Sequence, residues 1–545
     1  MRYKHKKAQF LIPITISIAV IFGYILGKTS VKSNYIDTAI SQFNTKDFLD
    51  NINNNSTKLG TILSLIDTKY VEHVNVDTLS EEYIQKILAK LDPHSSYISA
   101  EDAIASYEAL NGSFEGIGIM FNMATDTLII QDVISGGPSE KVGILAGDRI
   151  IQIGDSVIAG RNVNQDSIVK MLKGPSGTKV QLGIERRGAK GLIGFEVTRG
   201  KIAQNSIDAA FLIEPEIGYI KLSRFARTSH KEFVSAIERM RAEGMKQLIF
   251  DLTYNSGGYL DQAILIANEF LPAGNMIVYT EGLNYPMERT YANGKGKLID
   301  QPVVVLIDEN SASASEIVAG ALQDNDIGTI IGRRSYGKGL VQEQIILDDG
   351  SIVNLTIARY HTPTGRCIQR SYENGTEQYI LDFYERYVHN EHISADSITF
   401  PDSLKYTTPK GKVVYGGGGI MPDVFVPKDT TSQGSYFVEV MNNNTLFSFT
   451  LSYLDEHRAE IKALDTKDKL IEYFRVNDQK IFNQFKNFAR SKQTKNSLDQ
   501  LSIKNCKIFI NAYLARNSGF GDSGYYLFMY PFSEIIVEAL DNLHE

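Results

Sequence analysis

Cysteine is scarce: two, Cys367 and Cys506, stand among 545 residues. That number allows at most one disulfide and gives no basis for a thiolate metal site. Nine histidines include no His-Glu-x-x-His pair, so a helical zinc-protease site is not encoded. His389 and His392 lie in a polar stretch and read as a surface pair. Excess positive charge is also lacking. Lys and Arg number 56 against 64 Asp and Glu, a net charge of −8, which argues against nucleic acid as a general partner. No internal repeat of fixed period appears. What remains is ordinary globular composition, 43% hydrophobic and 22% charged, in a chain long enough for three or four domains.

The N-terminus departs from that composition. Met1 to Lys7 carries Arg2, Lys4, Lys6 and Lys7, and Phe10 to Gly27 is then free of charge and mostly aliphatic. The run has the length of a short membrane span, and no Ala-x-Ala cleavage site or lipidation cysteine accompanies it. An uncleaved signal anchor is expected. Its basic flank stays in the cytoplasm and the rest is exported, so the protein is expected at the inner (cytoplasmic) membrane as a single-pass protein. The bulk would face the periplasm or extracellular side. Residues 28–57 are polar and Asn-rich and read as a stalk with weak helical character. From Leu59 to Leu91 apolar residues recur at helical intervals, until Pro93 ends the pattern.

From Gly112 to Gly200 the pattern changes to short strands and glycine turns. From Ile202 to about Pro427 strands alternate with helices. The strands are expected at Gly218–Leu222, Leu248–Leu252, Val303–Ile307, Thr329–Ile331 and Ile352–Ala358. Helical runs such as Ser229–Arg241 and Leu260–Phe270 lie between them, which argues an α/β core. Beyond Asp429, Tyr436–Leu454, Thr466–Phe474 and Phe532–Leu543 read as helices of an additional region.

The chemistry concentrates at Ser311-Ala312-Ser313-Ala314-Ser315-Glu316, between an apolar strand and an apolar helix. A serine at such a turn is exposed beside backbone N–H groups that can face an oxyanion, and a lysine on a following loop can serve as its base. Ser313-x-x-Glu316 is equally a capping box, and the two readings are compatible. Gly332-x-x-x-x-Gly337-Lys338 imitates a nucleotide-binding loop. Gly339 stands where Ser or Thr would hold magnesium, and Leu340–Leu347 alternates like a strand, so that reading is rejected.

Six segments, in order, resemble the carboxyl-terminal processing (tail-specific) protease family. They are Leu91–Ser95, Gly112–Gly118, Asp251–Gly258, Ser311–Glu316, Tyr336–Gly339 and Tyr415–Asp423. The resemblance implies a crotonase-like (ClpP-like) β–α superhelix core with an inserted PDZ domain. It implies Ser313 as nucleophile, Lys338 as base and Gln342 as the residue that orients the lysine. Backbone N–H groups of Ala314 and Gly258 would form the oxyanion hole. Gly116-Ile117-Gly118-Ile119 resembles the PDZ loop that receives a peptide's terminal carboxylate, since alternating glycines let backbone N–H groups converge. The family commonly has Asp-Leu-Arg and Asn-Pro-Gly-Gly, where this chain has Thr253 and Ser256, which puts the usual arginine ion pair in question.

The expected organisation is a basic flank and anchor over 1–28, a stalk and helical region over 29–111, and a PDZ domain over 112–200. A Ser/Lys protease core over 201–430 and a C-terminal helical region over 431–545 follow. The expected function is a membrane-anchored serine endopeptidase that captures exported proteins by their C-termini and cleaves them through an acyl-enzyme. No metal or other cofactor is called for, and a homo-oligomer is compatible with the sequence. A catalytically inactive PDZ adaptor and a non-proteolytic acyl transferase are the rival classes. His361 or His230 would be the base if Lys338 were not.

Overall fold

The computed structural model describes residues 58–545, apart from 124–126, 135, 431–432 and 493. The expected anchor and the stretch 28–57 lie outside the described residues. Among the described residues no helix is long and apolar enough to cross a membrane. The described chain divides after Ile84, with Gln85–Glu545 forming one compact unit. The expected helical pattern from Leu59 to Leu91 is broken. A helix over 58–69 ends, and the Asn75 side chain accepts the Thr78 N–H at 3.1 Å to start the next, Val76–Leu88. That helix stops short of Pro93, where the proline's restriction on its predecessor would end it in any case.

Within the second unit, strands Ser113–Gly116 and Gly200–Ala203 pair antiparallel and form the ribbon through which a small β domain is inserted. Its sheet runs in the order Ile119–Asn122, Leu128–Val133, Arg149–Ile153, Lys179–Glu185, Ile193–Thr198. The helix Gln165–Leu172 closes it over a core of Ile117, Leu128, Ile130, Ile150, Ile168 and Leu182. On Lys179–Glu185, Val180, Leu182 and Ile184 are buried in alternation with more accessible residues, as a sheet with one covered face requires.

The larger core is a six-stranded sheet in the order Ile207–Glu214, Ile217–Leu222, Gln247–Asp251, Val303–Ile307, Thr329–Gly332, Val424–Phe425. The first pair is antiparallel and the rest are parallel. Val303–Ile307 is buried throughout, which explains its unbroken apolar run. One face carries the helices Ser229–Ala242, Leu260–Asn268 and Ala314–Asp324, packed through Phe233, Ile266 and Val318. A second, antiparallel sheet holds Met276–Gly282, Tyr285–Tyr291, Leu340–Ile346, Ile352–His361 and the short Ser96–Ile98. The chain after Gly337-Lys338 is thus a strand, as its alternation predicts. Ile207–Glu214, Met276–Gly282 and Tyr285–Tyr291 were not expected from the sequence. Tyr285–Tyr291 is exposed along nearly all its length, so burial leaves no apolar alternation to read.

The C-terminal region has two parts. Helices Ser435–Asn442, Thr445–Lys462, Lys467–Ser491 and Gln500–Arg516 build their own core around Phe449, Phe474, Phe485 and Ile510. Asn444, at φ 57°, divides the single helix expected over 436–454. Helices Asp522–Met529 and Glu534–His544 instead cover the remaining face of the central sheet, through Leu527, Ile535, Ile536 and Leu540 against Phe211, Ile249, Val304 and Leu306. Lys467 donates to the carbonyls of Leu212 and Ile213, each at 2.8 Å, and so blunts the open edge of that sheet. Arg187 of the inserted domain reaches Glu456, on the helix Thr445–Lys462, at 2.9 Å.

Candidate active site

The turn between Val303–Ile307 and Ala314–Asp324 separates its three serines by environment. Ser311 is fully buried, with Oγ donating to the Leu252 carbonyl at 2.8 Å and accepting from Asp308 N at 2.9 Å. Ser315 is equally buried and donates to the Asn255 carbonyl at 2.8 Å. Ser313 alone of the three lines an open groove of about 930 Å³. Its backbone lies at φ 54°, ψ −113°, a conformation that a non-glycine residue adopts at a cost of about 1–3 kcal/mol.

Glu316 holds that turn in place. It is fully buried, and its Oε2 accepts both Ser313 N at 2.8 Å and Lys338 N at 2.9 Å. Oε1 accepts Ser335 Oγ at 2.5 Å and Gly337 N at 2.7 Å. One carboxylate therefore joins the start of the helix to the Tyr336–Gly339 loop. Burial pushes its pKa up, against the pull of these four hydrogen bonds. Capping-box chemistry foretold only the Ser313 contact. Tyr360 adds a second link, its hydroxyl facing the carbonyl oxygens of Lys338 at 2.7 Å and Ser313 at 3.2 Å.

Lys338 projects into the groove beside Ser313. Its Nζ donates to Gln342 Oε1 at 2.6 Å, and Gln342 Nε2 donates to the His94 carbonyl at 2.6 Å. Burial lowers the lysine pKa, while the Asp92 and Glu316 carboxylates work in the opposite direction. The amine's hydrogen-bond partner is a neutral amide, which does not fix the cation as a carboxylate would.

Gly257 and Gly258 pass directly under the serine. At φ 106° and 144° both occupy backbone space that favours glycine. A Cβ on Gly258 would stand 2.2 Å from the Phe225 carbonyl oxygen, and one on Gly257 would stand 2.8 Å from Ser313 Cβ. The N–H groups of Gly258 and Ala314 meet no acceptor among the described residues, and both residues line the groove with Ser313. The loop is tied down by Asn255, whose carbonyl accepts Ala312 N at 3.0 Å and whose side chain accepts Gly257 N at 2.9 Å.

Where the resemblance leads one to expect an arginine, Thr253 stands in a different network. Lys221, from the neighbouring strand, reaches Asp251 at 2.9 Å, Thr253 Oγ1 at 2.7 Å and the Thr253 carbonyl at 2.5 Å. Asp251 also accepts the Tyr219 hydroxyl at 2.6 Å. Asp251 is thus paired with a lysine of the adjacent strand, which no local motif announces.

The loop Gly116–Ile119 lies in the inserted domain, and none of its residues lines the serine groove. Gly118 adopts φ 75°, and its carbonyl accepts Ile134 N at 3.0 Å. The N–H groups of Ile117 and Gly118 meet no acceptor among the described residues. The alternative bases do not reach the groove: His230 pairs with Glu269 at 2.7 Å, and His361 stacks on Tyr279. Cys367 and Cys506 are both free thiols. Among the described residues no group of His, Cys, Asp and Glu side chains could hold a metal ion.

Residues 216–378 match the model of peptidase family S41 and residues 116–197 that of the PDZ domain. Residues 436–518 match a family of unknown function. The carboxy-terminal-processing protease of Bartonella bacilliformis is 37% identical over 317 residues, covering 57% of this chain and 72% of that protein. The chain belongs to the carboxy-terminal processing proteases of peptidase family S41. Carboxy-terminal processing protease CtpA of Bacillus subtilis is 34% identical over 57% of this chain and 66% of its own length. Among solved structures, the PDZ domain of a carboxy-terminal protease from Vibrio cholerae, in complex with peptide, is 35% identical. It covers 16% of this chain and 97% of that one, with a TM-score of 0.15. By its matched peptidase and PDZ segments, this protease is a serine-type peptidase with a PDZ domain. Those segments leave outside them the Leu91–Ser95 turn, whose His94 carbonyl meets Gln342.

Proposed function

We propose that this protease cleaves exported proteins, captured by their C-termini on the PDZ domain, through a Ser313–Lys338 mechanism. Neutral Lys338 takes the Ser313 Oγ proton as Oγ attacks the scissile carbonyl. The N–H groups of Ala314 and Gly258 receive the oxyanion, each donor contributing about 2.7–4 kcal/mol to transition-state stabilisation. The ammonium returns its proton to the departing amine, leaving an acyl-enzyme, and the amine then accepts a proton from the water that hydrolyses it. Gln342 holds the amine toward the serine. The observation that carries this reading is that Ser313, alone among three adjacent serines, opens on the groove that also holds a half-buried lysine bonded to an amide.

A tail held on the Gly116–Ile119 loop is tethered to the same chain as the groove, which raises its effective concentration there. The N-terminal apolar run would keep the protein in the membrane with its catalytic part outside the cytoplasm. Labelling with a serine-directed covalent inhibitor, followed by peptide mass spectrometry, tests the nucleophile. A label on Ser311 or Ser315 would remove the assignment. Equal binding of peptides with free and amidated C-termini would remove tail capture. Mature protein beginning near Ser30 would remove the anchor.

A further inference from the structure

The segment Asp92-Pro93-His94-Ser95 takes no part in the steps above, yet it touches the site. Asp92 is 6% exposed, and its carboxylate accepts His94 N at 2.8 Å, Ser95 N at 2.8 Å and Ser95 Oγ at 2.5 Å. Three acceptor contacts within three residues give the turn one shape. Ser95 Oγ also accepts Thr356 N at 3.1 Å, and Thr356 is the cross-strand partner of Gln342. The turn is thereby fixed against the strand pair that carries Gln342, and it aims the His94 carbonyl at the Gln342 amide.

A carbonyl oxygen can only accept. It therefore holds the NH2 end of the Gln342 amide and leaves the oxygen end for Lys338. With the amide reversed, two oxygens would face each other at His94 and the NH2 would meet the amine. An amide oxygen that accepts one N–H of the neutral amine also leaves its lone pair for the serine proton. Resting on the Ser–Lys reading, we propose that the Asp92–Ser95 turn is a positioning device of the catalytic centre. It orients Gln342 through the His94 carbonyl and sets a buried carboxylate within electrostatic reach of Lys338.

The groups facing Lys338 are the Asp92 and Glu316 carboxylates, the Gln342 amide and the His94 imidazole. His94 is lowered to about 4, chiefly by burial and then by the Lys338 charge, so it is neutral in the working range. Arg370 lies over the Tyr336 and Tyr379 rings beside His94. Asp92 itself is raised by burial but lowered by more through its hydrogen bonds, and stays ionised. It favours the ammonium, so its removal must shift the lysine toward the neutral form.

The test uses the purified full-length chain, a peptide substrate and a set of single and double variants. Asp92→Ala should lower kcat at least about tenfold with KM within about twofold, as loss of an oriented base requires. Combined with Gln342→Ala, it should be no more than about threefold worse than the poorer single variant, because both break one unit. A kcat within twofold of wild type for Asp92→Ala, or losses that multiply in the double variant, overturns the proposal. Should Asp92→Ala fail to fold by circular dichroism, Asp92→Asn decides. It keeps an acceptor for both turn N–H groups and removes the charge, so the rising limb of kcat/KM should move to lower pH. A limb that stays or moves upward overturns the proposal. Lys338→Ala separates the two readings. An active Lys338→Ala enzyme defeats the Ser–Lys mechanism itself, whereas an inactive one with multiplying Asp92 and Gln342 losses defeats only the turn.

Discussion

Lys221, bonded to Asp251 and Thr253, and Lys338, which lines the groove with Ser256 and Gly258, are treated by the chain in opposite ways. Lys221 meets a carboxylate, Asp251, and two oxygens of Thr253. Lys338 meets an amide that is itself held by a backbone carbonyl. A carboxylate at hydrogen-bond distance favours the ammonium, while burial against a neutral amide favours the amine, even with Asp92 and Glu316 acting from further off. The first arrangement is a strut that ties two strands and the loop that follows. On the Ser–Lys reading, the second leaves a lone pair available for the serine proton. What separates a structural lysine from a basic one is the partner at hydrogen-bond distance, more than burial.

The comparison breaks most completely at Lys338. Lys338→Arg keeps the charge but cannot give it up, since guanidinium titrates above ~12. Loss of roughly 10²–10⁴-fold in kcat/KM is expected, matching Lys338→Ala, with the fold intact. A folded Arg variant with near-normal turnover in a steady-state peptide assay would end the Ser–Lys mechanism.

At Lys221 the expected loss is in stability. Lys221→Met leaves Asp251 buried with no cationic partner, which costs about 3–5 kcal/mol. Lys221→Arg should recover much of that. Denaturant unfolding monitored by circular dichroism would show it, and an unchanged midpoint for Lys221→Met would mean the strut carries nothing.

Gln342→Glu makes Lys338 resemble Lys221. A carboxylate at the amine raises its pKa, so the rising limb of kcat/KM moves to higher pH. Below the limb, activity falls in proportion to the neutral fraction, about tenfold for every tenfold gain in the amine's affinity for its proton. The variant also loses the N–H that meets the His94 carbonyl, so kcat falls at every pH, and the direction of the limb is the deciding readout. The wild-type limb itself should lie below the usual lysine range, because burial lowers the Lys338 pKa.

The smallest effect belongs to Ser311→Ala. It removes buried hydrogen bonds to Leu252 and Asp308. A loss of about 1–3 kcal/mol of stability is expected, with kcat/KM within a few-fold of wild type. Abolished cleavage in a folded Ser311→Ala enzyme would reverse the roles of the serines.

Much of this was legible along the chain. The apolar run Val303–Ile307 and the small-residue turn after it mark a strand entering a helix. Gly339 and the alternation after it mark a strand where a nucleotide loop would need a helix. Less legible were the exposed strand Tyr285–Tyr291 and the division of the C-terminal helices between a separate bundle and the sheet's second face. Those depend on what an element packs against, and periodicity reports only that one face is apolar.

Sequence alone determined the kinds of group available: a serine beside a helix start, a lysine on the next loop, a glutamine four residues on, and a pair of glycines. These are local chemistry, and local chemistry is written in residue order. Tertiary structure decided which of three serines faces the groove. It decided that Lys221 pairs with Asp251, and that the carbonyl of His94, 248 residues from Gln342, sets which end of that amide meets the amine. Each is a contact between distant segments, and its direction is set by strand register and burial.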